Sequence, residues 1–177
     1  IIPRRWGSAH SNIVPYEAHR AKDDYLIFGV VNERMWKSFC QLLGMEELQD
    51  DPRFSNNTRR LENREALSEI IDQKLAGKTV DEWIPRFDQA GIPCGPINPF
   101  DRVFSDPQVL HLGLVKEVEH PHYGKIKMVG PPATFSESAV GILSAPPTLG
   151  EHNREILTRL LGYSDDQVAA LKNQGVI

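Results

Sequence analysis

Six histidines and two cysteines are the residues of this 177-residue chain whose types most readily support metal binding, proton transfer or nucleophilic attack. Their spacing argues against a metal. His120 and His122 are two apart with Pro121 between them, and the chain has neither a His-x3-His pair for one helix face nor a Cys-x2-Cys pair. The histidines read as turn residues. Cys94 lies in Ile92-Pro93-Cys94-Gly95-Pro96. A nucleophilic thiol needs a nearby base or a helix N-terminus to lower its pKa, and the flanking prolines point instead to a shaped loop. Ser8 and Ser11 lack a G-x-S-x-G setting, and the chain has neither a phosphate-binding P-loop nor a dinucleotide glycine fingerprint. The carboxylates Glu46, Glu47, Asp50 and Asp51 fall on predicted solvent faces or in turns, so no pair stands out as acid and base. Arg4, Arg5 and Arg20 could meet an anionic group such as a nucleotide phosphate, although a solvated surface is the simpler account. Taken alone, these residues describe a folded domain without a visible active site.

The elements that must position them follow from composition and pattern. Hydrophobic residues make up 40% of the chain and charged residues 25%, the balance of a globular protein long enough to bury a core. A net charge of −4 argues against nucleic acid or an anionic membrane as a partner, and no apolar run approaches the roughly 20 residues of a membrane span. Two cysteines are too few for a disulfide framework and suit a reducing, cytoplasmic setting. The chain opens on Ile1 rather than Met, which reads as the start of a fragment.

Residues 13–20 and 25–31, separated by Lys22-Asp23-Asp24, predict a β-hairpin. Asn32 predicts a helix N-cap, with Met35, Trp36, Phe39, Leu42 and Leu43 at helical spacing and Gly44 as the stop. One helix is expected from Arg60 to Ala76, buried through Leu67, Ile70, Ile71 and Leu75 and ended by Gly77. Thr79 and Glu82 form a capping box for a helix with Val80, Trp83, Ile84 and Phe87 on its apolar face; Pro85 predicts a kink or a late start. Residues 91–97 look too punctuated for regular structure. Short helices are expected over 100–104 and 107–111, a second hairpin over 114–119 and 125–129, and an extended connection over 137–150. Two closing helices follow, Asn153 to Leu161 and Ser164 to Gln174, the second opened by a Ser164/Gln167 capping box. The sum is a mixed α+β layout without repeats.

Read in order, several short patterns resemble the class III coenzyme A transferases, the CaiB/BaiF family. They include Gly7-Ser8-Ala9-His10, Ile13-Val14-Pro15-Tyr16, Asp51-Pro52-Arg53-Phe54, Asn63-Arg64 and Glu82-Trp83. The run from Ala90 to Asn98, Asp106-Pro107-Gln108-Val109, His120-Pro121, Pro146-Pro147, Leu149-Gly150-Glu151-His152 and the final Gly175-Val176-Ile177 continue the match. Each is weak alone; their order across nearly the whole chain carries the resemblance. Gly7–His10 followed by Ile13–Tyr16 is most similar to the succinyl-CoA:glutarate subgroup.

The resemblance implies a two-domain subunit in an interlocked homodimer, with coenzyme A and acyl-CoA as substrates and no permanently bound cofactor. A large N-terminal domain would supply most CoA contacts and an aspartate nucleophile that forms an acyl–aspartyl anhydride and then an aspartyl-CoA thioester, ordinary covalent catalysis. That aspartate lies outside this chain, so no catalytic residue is assigned here. Residues 1–112 would be the small lid domain, and residues 113–177 a C-terminal return segment that packs on the large domain. The stretch carried over to the active site is the substrate-binding loop Gly7, Ser8, Ala9, His10 and Ser11. In formyl-CoA transferase the corresponding loop is glycine-rich and closes over the aspartyl intermediates, keeping water from them. Only Gly7 remains of those glycines, and His10 is suited to donate a hydrogen bond to an acyl carboxylate. The run 91–98 and Leu149–His152 are expected to be structural. An acyl-CoA racemase of the same fold, using an acid–base pair that also lies upstream, and a non-catalytic binding or oligomerisation module are the alternatives.

Overall fold

The computed structural model describes residues 5–142 and 144–177; Ile1 and Arg4, noted above, lie outside the described residues. The chain divides into two compact units, Ile1–Pro99 and Phe100–Ile177.

In the first unit the expected hairpin is present as β1 (Tyr16–Arg20) and β2 (Tyr25–Gly29), antiparallel with Tyr16 opposite Gly29 and Arg20 opposite Tyr25. β1 starts later than the pattern predicts. Pro15 accepts a bond from the Val30 N–H (2.9 Å) but has no N–H of its own to return. Asn32 caps α1 (Glu33–Leu43) by accepting from the Met35 N–H, and Gly44 ends it at φ 61°, in the left-handed region that costs a glycine least. The single helix expected over 60–76 is instead two: α2 (Asn57–Glu62), capped by Asn56, and α3 (Arg64–Leu75). Asn63, at φ −117° and ψ 29°, breaks the helical path between them. The side chain of Asn63 donates to the carbonyls of Arg53 (3.3 Å) and Arg59 (2.9 Å), stabilising the break. α4 (Val80–Gln89) opens on the predicted Thr79/Glu82 capping box and starts at Val80, with Pro85 inside it.

The run judged too punctuated for regular structure is not a bare loop. Cys94–Pro96 forms β3, pairing antiparallel with β2 so that Phe28 faces Cys94 and Leu26 faces Pro96. A proline at the end of an edge strand costs the ladder little, and this is where glycine and proline are tolerated in sheets. The sheet order is β1-β2-β3. Leu26, Phe28 and Val30 on one face meet Trp36, Phe39, Phe54, Leu67, Ile71, Leu75, Trp83 and Phe87 from the helices in one core. Phe28 is its centre, with ring centroids 5.1 Å from Phe39 and 4.9 Å from Phe87.

The second unit holds α5 (Phe100–Ser105), α6 (Pro107–His111) capped by Asp106, and the hairpin β4 (Val115–His120) and β5 (Gly124–Val129), all as the pattern predicts. The described residues of 137–150 form neither helix nor strand. The first closing helix is shorter than expected: α7 (Asn153–Glu155) passes into a π-type turn over Ile156–Leu160, where the Leu161 N–H donates to Ile156 C=O at 3.2 Å. α8 (Asp165–Asn173) carries the predicted Ser164/Gln167 box. Among the described residues of this unit Val168 is the only buried hydrophobic side chain, while Phe100 is 78% and Leu160 73% exposed. The whole is a mixed α+β fold, and none of its described helices is long and apolar enough to cross a membrane.

Candidate functional site

β1 is an edge strand, and an open edge invites foreign pairing. Here the loop before it folds back along that edge. The His10 N–H donates to Tyr16 C=O at 2.8 Å, and the Ala18 N–H donates to the Ser8 hydroxyl oxygen at 3.2 Å. Gly7 makes the fold-back: at φ 62° it allows the Ala9 N–H to reach Trp6 C=O at 3.0 Å. The five loop residues named from sequence, Gly7, Ser8, Ala9, His10 and Ser11, therefore lie together. All are exposed except the half-buried Ala9.

Within this loop the His10 ring is fixed twice. It stacks on Tyr16 with centroids 5.3 Å apart and 15° between planes, and its Nδ1 accepts the Asn12 N–H at 3.1 Å. With Nδ1 accepting, a neutral imidazole carries its proton on Nε2. Tyr16 in turn lies flat because its cross-strand partner is Gly29. A Cβ built at Gly29 would stand 3.2 Å from the Tyr16 ring. Beside Tyr16, Ile27, Phe28, Gly29, Val31, Pro93, Cys94 and Gly95 complete an apolar concavity of about 320 Å³.

The loop is held from behind by side chains the sequence reading did not single out for this role. Asn57, Arg60 and Arg64 stand at a spacing of three and four, one face of the α2–α3 segment. Asn57 accepts the Val14 N–H (3.1 Å) and donates to Asn12 C=O (2.8 Å). Arg60, 1% exposed, donates to Val14 C=O and Phe54 C=O, forms a two-pronged pair with Glu33 at 3.2 and 2.8 Å, and lies over the Trp36 ring. Arg64 donates from Nη2 to His10 C=O at 2.7 Å and covers the Trp6 ring at 5.1 Å. A signal existed. Arg60 continues the buried stripe of Leu67, Ile71 and Leu75 toward the N-terminus, where a charged residue belongs only if paired, and the half-buried Arg64 between them keeps Nη1 without a hydrogen-bond partner among the described residues.

The other candidates fall elsewhere. Cys94 is half-buried, with Sγ 3.7 Å from an Asp88 carboxylate oxygen. Burial pushes its thiol up to about 11, and the Asp88 charge adds to that, the opposite of an activated nucleophile. His19 is buried under Phe28 and donates from Nδ1 to Asp72 (2.8 Å), tying β1 to α3. His120 is buried in the β4–β5 turn, where its Nδ1 accepts the His122 N–H. Among the described residues no three His, Cys, Asp or Glu side chains are grouped to hold a metal. Arg20 lies over the Tyr25 ring, and Asp51 holds Arg53, its carboxyl kept below the usual range by that bond. In Leu149–His152, Glu151 accepts from the Thr148 N–H and hydroxyl, a structural cap.

The chain is 38% identical over 174 residues to a succinyl-CoA:glutarate CoA-transferase of Homo sapiens, covering 98% of this chain and 40% of that protein. It is 33% identical to a formyl-CoA:oxalate CoA-transferase of Streptomyces avermitilis, covering 88% of this chain and 37% of that protein. The crystal structure of a CaiB/BaiF family protein from Brucella suis superposes with a TM-score of 0.71 at 32% identity, covering 89% of this chain and 40% of that one. The chain thus spans about 40% of the length of the curated relatives it matches. Residues 1–153 match the profile of CoA-transferase family III, and the chain belongs to that family.

Proposed function

We propose that this chain is the C-terminal part of an enzyme that moves CoA from an acyl-CoA donor to a carboxylic, and specifically a dicarboxylic, acid. In this reading an aspartate from the N-terminal part of the same enzyme forms the covalent acyl and CoA intermediates. The loop Gly7–Ser11 covers them, since an anhydride in open solvent hydrolyses. Nε2 of His10 donates a hydrogen bond to the carboxylate that is not reacting. The observation that carries the reading is the fixed, exposed imidazole, with Nδ1 occupied by the Asn12 N–H and one face on Tyr16. The names of the two curated relatives above, both CoA-transferases, favour transfer over racemisation of an acyl-CoA.

The same reading assigns residues 1–112 to the small domain and 113–177 to the segment that returns to the large domain. The exposed Val129, Leu149, Leu160 and Leu161 are the kind of surface such packing covers. It further takes the complete enzyme to be a homodimer, working in the cytoplasm without a resident cofactor. The test is kinetic. In the full-length enzyme His10→Ala raises the KM for a dicarboxylate acceptor by about tenfold, the scale of a hydrogen bond to a charged group. An unchanged KM removes His10 from the site.

A further inference from the structure

Three side chains of the α2–α3 face hold the loop, and they are not equivalent. Arg60 is enclosed in the core, and its contacts with Glu33, Phe54 and Trp36 serve the fold as much as the loop. Asn57 reaches only residues 12 and 14, beyond the turn. Arg64 touches the two ends of the turn itself, Trp6 through its face and His10 through its carbonyl.

We propose that Arg64 is a positioning residue that fixes His10 as a neutral Nε2–H donor toward the substrate carboxylate; this rests on the reading of the loop given above. The coupling runs through the two peptide units that flank the His10 Cα. The His10 N–H is bound to Tyr16 C=O and the His10 C=O to Arg64 Nη2, so both backbone groups of residue 10 are pinned. In the next peptide unit, the Asn12 N–H is aimed at Nδ1 of the His10 ring. That hydrogen-bonded closure survives only while the backbone between residues 10 and 12 keeps its course. Removing the guanidinium frees the carbonyl of residue 10 to rotate. It also uncovers Trp6, which brackets the other side of Gly7. The ring then loses the contact that selects its tautomer, and Nδ1–H and Nε2–H forms mix. A planar guanidinium does both tasks at once: an in-plane N–H meets the carbonyl while its face lies on the indole. A lysine does only the first.

The experiment is a double-mutant cycle in the full-length enzyme, with thermal melts of every variant. Arg64→Gln is expected to raise the KM for a dicarboxylate acceptor roughly tenfold, as His10→Ala does, with kcat changed by less than about twofold. In the His10→Ala background Arg64→Gln is expected to add less than about twofold, because its effect passes through the imidazole. Arg64→Lys, which keeps a cation and a donor for the His10 carbonyl, recovers most of the loss and serves should the glutamine variant melt early. A wild-type KM in Arg64→Gln, a multiplied effect in the double variant, or a lysine variant as poor as the glutamine overturns the proposal. Nitrogen-15 spectra of the His10 imidazole separate it from the loop reading. Wild type should show the Nε2–H tautomer and Arg64→Gln a mixture. If His10→Ala leaves the acceptor KM untouched, the loop reading fails. The spectra alone then decide: a mixture in Arg64→Gln upholds Arg64 as the residue that orients the ring, and an unchanged tautomer dismisses it.

Discussion

Arg60 and Gly29 determine the site without touching it. Arg60 satisfies two buried carbonyls, those of Val14 and Phe54, and binds Glu33 at the surface, where the carboxylate is half-exposed and the ion pair partly screened. Arg60→Met keeps much of the volume but orphans both carbonyls. It should destabilise the protein by about 2–3 kcal/mol in urea unfolding, most of it from the unsatisfied backbone. Gly29 is the seat of the Tyr16 ring. A methyl there must push the ring by a few tenths of an ångström, so Gly29→Ala should cost about 1 kcal/mol and loosen the His10 stack. A melt shift accompanied by an unchanged His10 imidazole shift would show that the ring does not depend on this seat.

At the scale of elements, the caps are the clearest case of local chemistry setting structure. Thr79 and Glu82 satisfy each other's backbone donors at the start of α4. Thr79→Ala should cost about 1 kcal/mol in the same unfolding assay. The Thr79 N–H, and then its hydroxyl, hold the Glu82 carboxyl below its ordinary value of 4.5. A depressed folded-state pKa means the cap stabilises fully above about that value and fades as pH falls through the lower one. Stability measured against pH should therefore show an acid limb below 4.5 that is shallower in Glu82→Gln. Caps such as these, both hairpins and the short helices α5 and α6 were legible in the sequence because their signals lie within a few residues of each other. β3 was not. Its glycine and prolines look like a loop, and only pairing with β2, more than sixty residues earlier in the chain, makes it a strand. The break at Asn63 was hidden for a related reason: the apolar stripe runs through it unbroken, and the Asn63 side chain that supports it binds backbone groups. The loop Gly7–Ser11 was named through its family resemblance rather than its chemistry. Its clamp joins residues 43 to 54 positions apart, which no local pattern records.

Across the whole molecule, the two units differ in how much they bury. Residues 14 to 92 supply one continuous core with three phenylalanines in mutual contact. The unit from Phe100 onward buries little apart from His120 and Val168, and leaves many large apolar side chains exposed. A fragment ending at Pro99 should melt cooperatively, while Phe100–Ile177 alone should bind an apolar dye and unfold without a sharp transition. A cooperative melt of the second fragment would show that it needs no cover. Burial raises both thiols, Cys94 to about 11 and Cys40 to about 12, and the exposed His10 imidazole is held by the Asn12 N–H.

The most direct measurement compares two acceptors of equal length, one a dicarboxylate and one a monocarboxylate, in the full-length enzyme and its His10→Ala variant. If His10 binds the second carboxylate, the variant loses about tenfold in kcat/KM with the dicarboxylate and almost nothing with the monocarboxylate. Equal losses with both acids would contradict the account.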